Sequence, residues 1–567
     1  MFSLLRLALC FVVSNVCFAT VWYVPDNFPT PQSALDNCQS QDTVVLRSGE
    51  YLGPITLPLQ SITLASEYIF VPNPLHIENC VIRPDTLASV RRCLDTDEIA
   101  VENIDLKIVG LTVADARVFG DETNGGGIRI RYRNAHISNC VFSSCFATNG
   151  GALFVDESDL SASETLFILN DASSLGRVMF ARNAICSFNG CTFGPSGYLQ
   201  APPSTESEFV IEDSELGFNG CRFHGLGASV EGRTTAISLI DRSVCDSITF
   251  RNCLIEDNEF QRFISSGNRS GMRNFILDSC QFTNNIIAFG LFGDFEHDSL
   301  RRSEVTNCVF ENTHRPSPAF GGPGLLDFSD SNKTFVLAEN RFGFNDGGAF
   351  SCLHISDLNA PLTARVRRNF FYGNSNHNVT SPPGGAVYTS NTSSGILERN
   401  SFDGNIGHAV DTWEFGQISY AKLNWWGDAS GPYEQVRNSL GLGDTTDEHT
   451  VYDQWLHSEE EIYDSTLTRI GNEPPLSIPM SIQLTAAYPN PFNGRVTIEF
   501  VLLKDQDITL DVYDLTGRHV ETILNDRMRK GVHIRDWSPE SQASGIYFAR
   551  LVGADGVRST TKLMYLK

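Results

Sequence analysis

Seven cysteines, Cys80, Cys140, Cys191, Cys221, Cys253, Cys280 and Cys308, fall on one position of an internal repeat. Thiols invite metal or redox chemistry, but one thiol per lap along a single line cannot build a tetrahedral site. The C-x4-C pairs Cys140/Cys145 and Cys186/Cys191 have no histidine at ligand spacing. We read these cysteines as small apolar packing residues and expect no metal and no cofactor. Acidic runs occur at Asp156/Glu157/Asp159, Asp294/Glu296/Asp298 and Asp327/Asp330, in loops where solvated turn acids are the rule. Glycoside hydrolysis needs two carboxylates facing each other across a cleft, and no motif cluster of pectin-degrading hydrolases or esterases is present. One basic feature is regular. Arg367, Glu398 and Lys422 lie two residues before the repeat position on successive laps, and Glu339, Arg368 and Arg399 lie one before it. Pointing outward, Arg367, Arg368, Glu398, Arg399 and Lys422 would form a patch that grips an anionic glycan. The competing reading is alternating-sign pairing between laps, worth about 0–1 kcal/mol per pair. His408 reads as a core or turn residue, and Asp428 beside Gly427 as a turn rather than a calcium ligand. No phosphate-binding loop, nucleophile elbow or zincin motif occurs.

These residues are positioned by a repeat read thirteen times. Its reference position recurs at Cys80, Gly110, Cys140, Thr165, Cys191, Cys221, Cys253, Cys280, Cys308, Asn340, Asn369, Asn400 and Asn424, about 29 residues apart. Two residues on, the side chain is almost always Phe or Ile, from Ile82 and Thr112 to Phe402 and Trp426. Three residues before, it is apolar from Ile77 to Ala421, with Lys107 the exception. Five residues on, Asn recurs at Asn170, Asn258, Asn285, Asn345, Asn374 and Asn405. Positions 0 and +2 share one side of a strand. Position −3 has the opposite parity yet is apolar, so the chain must turn a corner between them. Short strands, corners and about 29 residues per lap describe a coil of a solenoid. Stacked Asn amides can bond up and down such a ladder.

At these residues the chain resembles right-handed parallel β-helix proteins. The Phe-x-x-Asn recurrences (Phe342–Asn345, Phe371–Asn374) and the Gly-Gly-Ala/Gly recurrences (Gly125-Gly126-Gly127, Gly150-Gly151-Ala152, Gly384-Gly385-Ala386) are similar to polymorphic outer-membrane protein repeats. Pro29 to Asp36 resembles the capping helix of this class, with Thr30 suited to the N-cap and Pro31 to the first helical position. The resemblance implies an all-β fold over residues 20–456 with a helix near 30–37. It implies little about activity, because the fold hosts lyases, hydrolases, adhesins and structural rods.

Composition agrees. Lys plus Arg is 42 against 67 for Asp plus Glu, a net charge of −25. That field works against nucleic acid and anionic membranes as partners. Phe at 38 and Gly at 46 against Met at 6 favour β-structure with many turns. Residues 1–19 read as a signal peptide ending in Cys17-Phe18-Ala19, and no later run is apolar enough to span a membrane. Residues 457–484, with Glu459-Glu460-Glu461 and Pro474-Pro475, read as a linker. Over 485–567 six strand-like runs with turns between them predict a small Ig-like β-sandwich. Its 11 basic and 10 acidic residues leave the −25 to the solenoid and linker.

Tyr488-Pro489-Asn490-Pro491-Phe492-Asn493, Asp511-Val512-Tyr513-Asp514-Leu515-Thr516-Gly517-Arg518 and Gly545-Ile546-Tyr547-Phe548 resemble the type A sorting domain of the type IX secretion system. That resemblance implies outer-membrane secretion machinery as a partner, and a product secreted or attached to the cell surface. The functional reading is a non-enzymatic, adhesin-like rod that binds carbohydrate or cell-surface ligands through its long inter-coil loops. The alternative is a polysaccharide-active enzyme, a uronate lyase or glycoside hydrolase, using one face of the helix. An enzyme should gather aromatics and perturbed acids or bases in one cleft over several laps, whereas a rod should spread them.

Overall fold

The computed structural model describes residues 19–566 apart from 89–90, 97–103, 120–123, 196–206, 228–234, 241–242, 261, 267–270, 288–291, 294–301, 314–325, 330–333, 347–351, 357–362, 376–383, 391–395, 414–418, 464–481, 503–504, 515–517, 530, 540–541 and 555–557. Residues 1–18 of the stretch read as a signal peptide, most of the stretch read as a linker, the acids Asp294, Glu296, Asp298 and Asp330 and the side chain of Asp327 lie outside the described residues. The chain divides into two compact units, 1–465 and 466–567.

The first unit is a parallel β-helix with three faces. The first face is a sheet of 16 strands from Val21–Val24 to Thr450–Val451, and the second a sheet of 13 strands from Gly49–Gly53 to Ser401–Asp403. The third is a nine-stranded sheet followed by a six-stranded one holding Leu353–Ser356, Gly384–Ser390 and His408–Trp413. The corner between first and second faces is one residue in the left-handed region. Asn139, Glu164, Asn252, Ser279, Asn307, Glu339, Arg368, Arg399 and Leu423 have φ between 46° and 62°, and glycine serves at 110, 190 and 220. That single residue reverses the strand's parity, so positions −3 and 0 both point inward.

Two positions correct the repeat as read from sequence. Val141 and Phe142 pair with Thr112 and Val113, and Ile137 pairs with Ile108. The reference position of the second lap is therefore Leu111, not Gly110. Gly110 is the left-handed corner, and Lys107 faces away from the buried Ile108. In the first lap Leu64, not Ile77, pairs with Ile108. Ile77 belongs to a short helix, Pro74–Glu78, inserted before Cys80.

The core is columnar. Phe282, Phe310, Phe342, Phe371 and Phe402 stack at 5.0, 4.8, 4.8 and 5.3 Å between ring centroids and end on Trp426 at 5.0 Å. Cys221, Cys253, Cys280 and Cys308 are buried and unpaired, as are the other nine described cysteines. From lap 340 onward Asn takes their place. Asn340, Asn369, Asn400 and Asn424 pass an amide bond from rung to rung at 2.9, 3.0 and 3.1 Å. A second ladder runs Asn345, Asn374, Asn405 and ends on Asp444, whose Oδ2 accepts the Asn405 amide at 2.7 Å. Each buried amide thus finds donors and acceptors above and below.

The open end at the N-terminus is covered by the helix Pro31–Leu35, with Thr30 and Ser33 forming a reciprocal capping box. Asp428 accepts the Ser430 N–H and hydroxyl at 2.8 and 2.6 Å, which makes it a turn residue. The second unit has seven antiparallel strands in sheets of three and four around Val496, Ile498, Phe500, Leu510, Val512 and Trp537, a small β-sandwich. Its first strand, Ile482–Tyr488, starts within the stretch read as linker.

Candidate functional site

On the second face positions +1 and +3 point outward. Among the described strands of that face, Phe, Tyr or Trp takes an outward position only at Phe370 and Tyr372. Tyr372 lies flat because its neighbour one rung down is Gly343. A Cβ there would stand 2.2 Å from the Tyr372 ring. Laid over that glycine, the tyrosine donates its hydroxyl to Glu311, two rungs away. Burial raises the Tyr372 pKa, and the bond to Glu311 adds to it. The Arg341 guanidinium stands 5.4 Å from the ring centroid. Phe344, 62% exposed, meets Tyr372 edge-on at 5.3 Å. It rests over Gly373, where a Cβ would lie 2.8 Å from its ring. Two glycines therefore seat two aromatic rings on the outside of the coil.

The adjoining corner carries the ionic groups. The Glu339 carboxylate is 3.3 Å from the Arg368 guanidinium. Burial nevertheless pushes its pKa up to about 7, outweighing Arg368. The 3-10 turn Glu459–Tyr463 packs here through the buried Ile462. Tyr463 stacks on Phe370 at 6.2 Å and receives Arg368 over its ring at 5.9 Å. Arg399 Nη1 donates to the Glu461 and Ile462 carbonyls at 3.3 and 3.4 Å.

The five residues of the sequence-derived patch divide accordingly. Arg367 and Glu398 pair in register on the first face. Arg368 and Arg399 are corner residues, engaged by Glu339 and Glu398 and by the turn 459–463. Lys422 lies two residues beyond Tyr420, which pairs with Ile396. The structure brings Arg368 to the aromatic surface and folds Arg399, 7% exposed, beneath the turn. Sequence reasoning passed over Glu311, Arg341, Gly343, Phe344 and Tyr372. The signal was available in the outward column Glu311, Gly343, Tyr372, where a glycine between two long polar side chains leaves room for them to meet. Tyr463 had none, since nothing near it is periodic.

Other perturbed groups sit elsewhere on the last laps. His408 Nδ1 is 3.2 Å from the buried Asp411 on the third face. Burial would lower the His408 pKa, but Asp411 raises it overall. Asp447, bonded to Thr412 and Thr450, is raised by burial. On an early lap, Asp156, expected as a solvated turn acid, instead ends the strand Leu153–Asp156, buried and held by Arg182 through two bonds of 2.8 Å. The long inter-coil loops expected to make contacts lie largely outside the described residues.

Residues 486–565 match the family described as "Secretion system C-terminal sorting domain". That domain implies export, interaction with type IX secretion machinery, and a product attached to the surface or secreted. No curated protein matches the chain. Among solved structures it is similar to two double mutants of the tailspike protein of E. coli bacteriophage HK620. One is 12% identical over 89% of this chain and 88% of the tailspike, with a TM-score of 0.35. The other is 11% identical over 94% and 88%, with a TM-score of 0.33.

Proposed function

We propose that this protein is an exported, non-enzymatic rod that binds carbohydrate on the second face of its last laps, delivered by its sorting domain. The observation that carries this reading is the pair of glycine-seated rings, Tyr372 over Gly343 and Phe344 over Gly373, with Tyr463 stacked on Phe370 of the same strand as Tyr372. A sugar offers one apolar C–H face and a rim of hydroxyls. The exposed Phe344 and the half-buried Tyr372, flanked by Arg341, Glu311 and Arg368, match both, since an aromatic gives apolar area and the polar rim gives orientation. Turnover is less well supported. Glu311 is committed to the Tyr372 hydroxyl and Glu339 to Arg368, whereas glycosidic cleavage needs one carboxylate free to act as base or nucleophile. The other perturbed groups, His408 and Asp444, lie on paired strands of the third face, away from Glu339 and the rings.

The test is affinity electrophoresis of the mature chain against acidic and neutral polysaccharides, with Tyr372→Ala and Phe344→Ala beside it. Each variant should keep its melting temperature within a few degrees and lose about fivefold to tenfold in affinity. Unchanged retention of both variants would overturn the reading. Release of reducing ends or unsaturated sugars by the wild type, lost in Glu339→Gln, would replace it with an enzymatic one.

A further inference from the structure

The charges around the aromatic surface are unequally employed. Glu311 accepts the Tyr372 hydroxyl, Glu339 faces Arg368, and Glu459 accepts the Ser401 hydroxyl at 2.8 Å. Glu461 accepts the His457 N–H at 2.9 Å. Glu460, next to them on the turn, has no hydrogen-bond or ion-pair partner among the described residues. Arg368 and Arg399 have carboxylates at 3.3 and 3.6 Å. Arg341 differs from the other guanidiniums here. It is exposed, held against the Tyr372 ring, and has no carboxylate in ion-pair reach among the described residues.

Arg341 is also oriented. Its Cζ lies 5.4 Å from the Tyr372 centroid, so the planar fork is positioned by the ring and loses little freedom on binding. A guanidinium of this kind recognises planar or tetrahedral oxyanions through paired N–H bonds. We infer that the saccharide bound here carries a carboxylate or sulfate, and that Arg341 clamps that group while Tyr372 and Phe344 take the sugar's apolar face. This rests on the carbohydrate-binding reading above and names its ligand class. It also moves the anion contact from the Arg367–Lys422 column to a residue one face away.

The experiment separates the two claims. Binding of a polyuronate, a sulfated glucan and an unsubstituted glucan is measured by calorimetry for the wild type, Arg341→Gln and Tyr372→Ala, at about 50 and 300 mM salt. Arg341→Gln should weaken binding of the acidic polymer it serves by about tenfold or more, abolish most of its salt dependence, and leave any binding of the unsubstituted glucan unchanged. Tyr372→Ala should weaken every polymer that binds. Preference for the polyuronate or for the sulfated glucan identifies the oxyanion. If Tyr372→Ala weakens binding while Arg341→Gln is silent toward all three, the clamp is refuted and the carbohydrate surface stands. If none of the polymers binds the wild type, or Tyr372→Ala changes nothing, both fail.

Discussion

Asp444 offers a sharp quantitative test of the ladder architecture. Its carboxylate ends the second Asn column, accepting the Gly404 N–H at 2.9 Å, the Asn405 N–H at 3.1 Å and the Asn405 amide at 2.7 Å. Burial still pushes its pKa from 3.8 to about 6. Folding thus raises the pKa, so the ionised form is disfavoured in the fold. The stability held below about pH 4 is lost as pH rises through about 6. Two units at about 1.36 kcal/mol each make that loss about 3 kcal/mol above pH 7. Asp444→Asn removes the charge and presents the same acceptor that Asn405 offers Asn374. It forfeits the acceptor for the exposed Gly404 N–H, about 0.5–1 kcal/mol. The variant should therefore gain about 2 kcal/mol at pH 7.5 and lose slightly at pH 4. Solenoid laps can open locally, so the assay is hydrogen exchange of the peptide spanning Gly404 and Asn405, variant against wild type at each pH. Faster exchange in the variant at pH 7.5 would show that the carboxylate stabilises the rung, and would refute burial as the dominant effect.

The stack predicts that Phe342→Ala, with rings at 4.8 Å on both sides, costs about 3–5 kcal/mol by denaturant titration; a loss well under 1 kcal/mol would contradict the packing. All thirteen described cysteines are buried and free, so a maleimide should label none of them in the native protein and all of them in denaturant; native labelling at Cys253 or Cys280 would break the column. Deleting residues 485–567 should leave the β-helix folded yet undelivered in a host with the secretion system, checked by fractionation and circular dichroism; normal surface or medium levels of the truncated chain would remove the sorting role.

Much of the fold is legible because a solenoid repeats its own evidence. Phe282, Phe310, Phe342, Phe371 and Phe402 occupy one position of the lap, and the structure stacks them. The register slip at Gly110 shows where periodicity misleads. A corner glycine and the neighbouring Leu111 are both compatible with the reference position, and only strand pairing with Val141 separates them. Ile77 misled for another reason. It sits three residues before Cys80, as the pattern asks, but on an inserted helix whose apolar residue mimics the column. The aromatic surface was not legible as a site. It depends on Tyr372 lying down over Gly343, a side-chain direction that sequence spacing does not carry, and on Tyr463 returning from a stretch without periodicity.

The place of that surface along the coil has a physical reason. Up to Cys308 the column behind the first corner is built mostly from thiols, which pack but hold no strong directional bond. From Asn340 both inner corner columns are asparagine, and each rung is tied to the next by side-chain amide bonds as well as by the backbone ladder. Such a rung carries side-chain restraints at both corners in addition to the backbone ladder that holds every rung. Glu339, Arg341, Gly343 and Phe344 stand on the first such rung, and Phe370, Tyr372 and Gly373 on the second. A binding surface gains most from a scaffold that loses no freedom when the ligand arrives. The change from cysteine to asparagine at lap 340, visible in the sequence as a change of core residue alone, therefore coincides with the rungs that hold aromatic rings over glycines on the outer face.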